Sequence, residues 1–174
     1  MRRDDVLAYP DQIGDALWRV EAAGIPHGPA DVCGVAHGAG ELAAEIVAGR
    51  GVSGAERVAV CASYSGDDEA ALDCFAAAGG PRVAVCTAGA LAAEAREAGA
   101  PVVGVPGGFE DPRAAIVYFT VAAVICAAPQ LRTELEAAVP ALGRLAEGGQ
   151  VELETPSERV LGELLLRDLA AANP

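Results

Sequence analysis

The chain has 174 residues, 52% of them hydrophobic but only 4% aromatic, and a formal charge of −13. That size and apolar share allow one core burying roughly 70% of the unfolded surface and exclude a disordered chain. The acidic balance leaves no basic stripe for a nucleic-acid backbone or an anionic membrane, so neither is expected as a partner.

With so few aromatics, the core must be built from Ala, Val and Leu, which suits helices laid closely on a parallel sheet. The opening Met1-Arg2-Arg3-Asp4-Asp5 puts two acids where a signal peptide needs an apolar run, and a cytoplasmic location is expected. Ile13, Leu17 and Val20 then fall at helical spacing, with Pro10 where a first helical turn tolerates it.

Four continuous apolar runs follow, at residues 32–36, 58–62, 83–86 and 102–105. Continuous rather than alternating runs predict strands covered on both faces. Ala/Glu/Leu-rich segments between them are long enough for helical crossovers. The expected fold is therefore a doubly wound, mostly parallel α/β sheet with helices on both faces, in one domain spanning 1–174. Residues 114–128, apolar except for Tyr118 and Thr120, are too short for a membrane span and read as a buried helix. Gly148-Gly149 marks a hinge, and Thr155-Pro156-Ser157-Glu158 has the signature of a helix start, opening a helix over about 156–171. Its leucines, Leu161, Leu164, Leu165, Leu166 and Leu169, exceed one narrow stripe, which points to a subunit interface.

Cys33, Cys61, Cys74, Cys86 and Cys126 make an odd count without a C-x-x-C pair. This argues against a disulfide framework and against a metal site, and reads as free thiols acting as small buried hydrophobes. No cofactor is expected.

In an open parallel sheet, ligands bind outside the carboxyl ends of the strands. Four loops stand there: His37-Gly38-Ala39-Gly40, the run 63–68 (Ser63-Tyr64-Ser65-Gly66-Asp67-Asp68), Thr87-Ala88-Gly89, and the run 106–113. Ser63, Ser65 and Gly66 precede a helix, where hydroxyls, backbone N–H groups and the helix dipole converge on an anion-ready corner; a plain capped turn is the alternative. Arg113 is the cation beside Gly107-Gly108, able to fork onto a phosphate or carboxylate, or else to pair with Glu110 or Asp111. His37, beside Gly38, is the better placed of two histidines for acid/base work, the alternative being an ordinary hydrogen-bonded loop residue.

Together, Tyr9-Pro10-Asp11-Gln12-Ile13, Ser63-Tyr64-Ser65-Gly66 followed by acids, and Pro106-Gly107-Gly108 leading to Pro112-Arg113-Ala114-Ala115 resemble one known pattern. The chain resembles, over about residues 6–128, the first sugar-isomerase (SIS) domain of the bifunctional phosphoglucose/phosphomannose isomerases. The resemblance implies a flavodoxin- or Rossmann-like three-layer fold and a carbohydrate ligand whose phosphate is held by Ser63, Ser65 and Arg113; Gly66, Asp68 and Gly38 complete the expected ligand-binding set. It implies metal-free aldose–ketose isomerisation of glucose or mannose 6-phosphate. The family usually has Asn-Thr where this chain has Asp67-Asp68, and it places the proton-transfer glutamate and ring-opening histidine in a second SIS domain. A homodimer, or a pair with a second SIS chain, would restore that half, bringing His37 or Glu163 across an interface. The alternative function is a non-catalytic ligand-binding, regulatory or dimerisation module.

Overall fold

In the computed structural model, which describes residues 1–172, four strands form one all-parallel sheet. They are β1 (Ala30–Gly34), β2 (Val58–Ala62), β3 (Arg82–Cys86) and β4 (Val102–Gly104), side by side in that order. Two helices precede them, α1 (Arg3–Leu7) and α2 (Tyr9–Ala23). The crossovers carry α3 (Ala39–Val47), α4 (Glu69–Ala77) and α5 (Gly89–Glu97), and α6 (Ile116–Ala127), α7 (Arg132–Ala146) and α8 (Pro156–Ala172) follow β4. No helix among the described residues is long and apolar enough to cross a membrane.

Successive strand residues point to opposite faces, and β2 and β3 divide accordingly. Val58, Val60, Ala62, Val83 and Val85 belong to a large cluster with residues of α2, α3, α6, α7 and α8. Cys61, Ala84 and Cys86 belong to a smaller one with Ala71 and Phe75 of α4 and Leu91, Ala92 and Ala95 of α5. Apolar residues on both sides explain why these strands read as unbroken runs. α6 is the centre of the large cluster: all twelve of its residues are buried, because α2, α3 and three strands surround it. Its Thr120 hydroxyl donates to the Ile116 carbonyl at 2.8 Å, so no polar group in it is stranded.

The strand expected at 32–36 lies two residues earlier, at Ala30–Gly34. Gly34 has φ +89°, and a Cβ there would meet the Ala62 carbonyl and Ala71. Only glycine lets β1 close so tightly on β2 and α4 and then leave the sheet. Val35 to His37 consequently form a loop rather than a strand end.

The C-terminal helix start is a true capping box. The Glu158 N–H donates to Thr155 Oγ1 at 3.1 Å, and the Thr155 N–H donates to Glu158 Oε2 at 2.9 Å. Leu161, Leu164 and Leu165 are buried in the chain's own large cluster, Leu169 packs against it, and Leu166 alone of the five is well exposed. Most of the leucine surface that suggested an interface is thus already covered. Glu163 is exposed on the same helix.

The expectation of free cysteines and no disulfide is overturned at one pair. Cys33 of β1 and Cys74 of α4 are joined by a disulfide, with Cα atoms 6.4 Å apart and a sequence separation of 41. The partners come from a strand and from the helix that crosses it, so no local spacing announces them. Cys61, Cys86 and Cys126 are buried free thiols, and burial pushes them up to about 11, 11 and 12.

Candidate functional site

The loop from β1 into α3 carries its strain openly. His37 has φ +54°, the left-handed region that a β-carbon makes costly. Its Nε2 is buried without a hydrogen-bond partner. Burial holds the imidazole below its usual value; nearby Asp111 raises it and Arg113 lowers it further. A neutral ring with an unsatisfied nitrogen is suited to accept or donate a proton or a hydrogen bond.

That ring stands between two clefts. One, of about 470 Å³, is lined by Asp31, Val32, Gly34, Gly38, Gly40 and Glu41 as well as His37. The other, of about 340 Å³, brings His37 together with Arg113, Ile116, Arg167, Asp168 and Ala171. Both fall in the range of small-ligand sites, and the second is lined by two arginines besides His37, Arg113 paired with Asp111 and Arg167 with Asp168.

The loop from β2 into α4 is built on the opposite principle. Ser63 is buried, and its Oγ accepts the Gly66 N–H at 3.1 Å. Ser65 Oγ accepts the Asp67 N–H at 3.2 Å. Asp68 is the N-cap of α4, its Oδ1 accepting the Ala71 N–H at 3.0 Å. Asp67 Oδ1 instead accepts the Ala90 N–H in the first turn of α5, at 2.9 Å. Gly66, at φ +84°, sits so close to the next loop that a Cβ would overlap the Ala88 carbonyl oxygen. Both serine hydroxyls act as acceptors in these contacts, which leaves each O–H free to donate.

The loop after β4 is locked to both its neighbours. Tyr64 Oη accepts the Phe109 N–H at 2.9 Å, and the rings of Tyr64 and Phe109 pack with centroids 5.9 Å apart. Asp111 caps the short 3₁₀ turn at Pro112–Ala115 by accepting the Arg113 N–H at 3.0 Å. The same carboxylate receives the exposed Arg113 guanidinium, which holds it far below the usual carboxylate range, and the Met1 amino group at 2.9 Å. Of the two sequence readings for Arg113, the local bridge is present; an incoming anion would compete with Asp111 for a solvent-facing guanidinium.

The structure therefore brings His37 and Arg113 into one pocket and keeps Ser63, Ser65, Gly66 and Asp68 in a neighbouring, internally satisfied turn. Sequence reasoning missed Arg167 and Asp168. Asp168 is buried, accepting the Tyr9 hydroxyl at 2.8 Å and the Arg167 Nε–H at 3.0 Å. A usable signal existed: Leu161, Leu165 and Asp168 share one helical face, so an acid sat where a core residue was due.

Comparison with protein-family models, curated proteins and solved structures finds no match to the chain.

Proposed function

We propose that this chain is a sugar-phosphate-binding domain of the SIS type, with helices layered on both faces of a flavodoxin-like sheet and its ligand at the carboxyl ends of β1 and β2. One observation carries the reading. The strained imidazole of His37, one nitrogen of which is buried and unmatched, lines a pocket of about 340 Å³ together with Arg113 and Arg167, so a hydroxyl-rich anion entering it would meet an imidazole and two arginines. Ser63 and Ser65 keep O–H donors on the adjoining turn, and Gly66 and Gly38 shape the backbone on either side.

Aldose–ketose isomerisation requires an acid/base to open the ring and a base to move the proton between C1 and C2. In this proposal His37 is the ring-opening group, and Asp168 is the carboxylate lining the same pocket. A non-catalytic binding module is the second reading, favoured by the commitment of Asp168 to Tyr9 and Arg167. The proposal includes assembly with a second copy or a second SIS chain, supported by the exposed Leu166 and Trp18 and testable by light scattering.

Titration calorimetry with fructose 6-phosphate and inorganic phosphate tests the binding claim, and a coupled isomerase assay separates the two readings. Binding that weakens about tenfold in Arg113→Ala and Arg167→Ala supports it. Absent binding, or affinity indifferent to both changes and to His37→Gly, sinks it.

A further inference from the structure

A second group of reactive side chains lies away from the His37 pocket and is independent of it. Cys33 and Cys61 are register partners on β1 and β2, both turned to the side covered by α4, and Cys74 descends from that helix. The Cys61 Sγ stands 3.8 Å from the Cys33 Sγ and 3.8 Å from the Cys74 Sγ. All three sulfurs lie within 4.8 Å of one another, and among the described residues no histidine or carboxylate joins the group. Cys61 is fully buried, whereas Cys33 and Cys74 are partly open to solvent and so to a reductant.

Reduction of Cys33–Cys74 by a dithiol moves two electrons and two protons to the pair and leaves the reductant as its own disulfide. Two thiols that no longer share a bond must retreat to non-bonded contact. The third edge of the triangle then opens towards the length of the other two. Two thiolates on one tetrahedral zinc, each about 2.3 Å from it, stand about 3.8 Å apart, which is the spacing Cys61 already keeps to both partners.

We propose that the reduced chain binds one zinc ion through Cys33, Cys61 and Cys74, the disulfide being the metal-free, oxidised form of the same site. Three thiols and one Zn²⁺ give a trithiolate complex and three protons, so affinity falls as pH falls. Sulfur donors select zinc or cuprous ion over magnesium or calcium. Zinc leaves one negative charge on the complex and cuprous ion would leave two, which disfavours copper between Phe75, Ala71 and the sheet. The Arg82 guanidinium, 4.3 Å over the Phe75 ring and bonded to the last carbonyls of α4, supplies a neighbouring positive charge. The fourth coordination position falls to water or an exogenous ligand. Metal and disulfide would each clamp β1 to α4, in opposite redox states.

The test uses the full chain, reduced with a phosphine, freed of reductant and titrated anaerobically with Co²⁺, reading sulfur-to-cobalt charge-transfer absorption. The expected result is one Co²⁺ per chain with the intensity of three thiolates, displaced by one equivalent of Zn²⁺, and no uptake by the oxidised chain. Cys61→Ser and Cys61→Ala should each weaken binding about 100-fold or more, while Cys86→Ser and Cys126→Ser leave it unchanged. Circular dichroism establishes that each variant is folded. Absence of thiolate absorption in the reduced wild type overturns the proposal whatever the variants do, and so does undiminished absorption in a folded Cys61 variant.

Discussion

The loops that leave β1 and β2 start from neighbouring, paired strands and are made in contrary ways. After β2, each polar side chain from Ser63, Ser65, Asp67 and Asp68 accepts a backbone N–H, two of them at helix starts. After β1, a histidine is held at positive φ with one ring nitrogen buried and unmatched. A satisfied turn stabilises the fold, whereas strain and an orphan nitrogen cost about 1 to 3 kcal/mol each and persist only where the surrounding structure enforces them. That difference is the ground on which the proposed function sets its chemistry at His37, although the sequence drew attention chiefly to Ser63–Asp68.

The largest expected effect comes from breaking the satisfied turn at its tightest point. Gly66→Ala sets a methyl against the Ala88 carbonyl at a left-handed φ and should destabilise by about 3 kcal/mol or more in urea unfolding. Opening Cys33–Cys74, which closes a loop across 41 residues, should cost about 3 to 4 kcal/mol when unfolding is compared with and without reductant in the presence of a chelator. Ser63→Ala strands the Gly66 N–H in a buried turn and should cost about 1 to 2 kcal/mol, and Asp68→Ala, which uncaps α4, about 1 kcal/mol.

The loop after β1 should respond with the opposite sign. His37→Gly removes the β-carbon from a left-handed position and the orphan nitrogen with it, and should stabilise by about 1 kcal/mol while abolishing sugar-phosphate binding. A loss of stability would mean that the ring is held by contacts of its own and would erase the contrast. The smallest effect is in pH dependence. Because burial keeps the folded imidazole below its ordinary value, the unfolded chain takes up the proton first as pH falls. The stability contributed by the neutral ring is full above about 6.5, the unfolded value, and is lost as pH falls from there towards the folded value. His37→Asn should flatten that part of the stability profile and leave the rest unchanged.

Much of the fold was legible because burial on both faces writes itself into composition. The runs at 58–62, 83–86 and 102–105, the buried helix after 114 and the capping box at Thr155 all depend on local pattern, and each is found within a few residues of its expected place. The register of β1 was less legible, since its end is set by a close approach of Gly34 to Ala62 and Ala71 that no neighbouring residue reports. Helix α7 does carry a signal, with Leu135, Ala138 and Leu142 at helical spacing, but Pro140 in its interior masks it. At the site, Arg113 and His37 could be named from loop position, but their meeting with Arg167 and Asp168 depends on how α8 returns across the chain. The sulfur triangle was invisible for the same reason: its members are 28 and 13 residues apart, and only strand pairing and a helix crossing bring them together.

The central claim is that His37 faces the ligand, and the chain offers a direct reading because it has two histidines. His27 places its Nδ1 3.2 Å from the Ile125 carbonyl, away from the residues that line the His37 pocket. Imidazole NMR during titration with fructose 6-phosphate should therefore move the His37 resonances, with a midpoint equal to the calorimetric affinity, and leave those of His27 in place. Saturable calorimetric binding that leaves both histidines unmoved would put the ligand elsewhere and contradict the account.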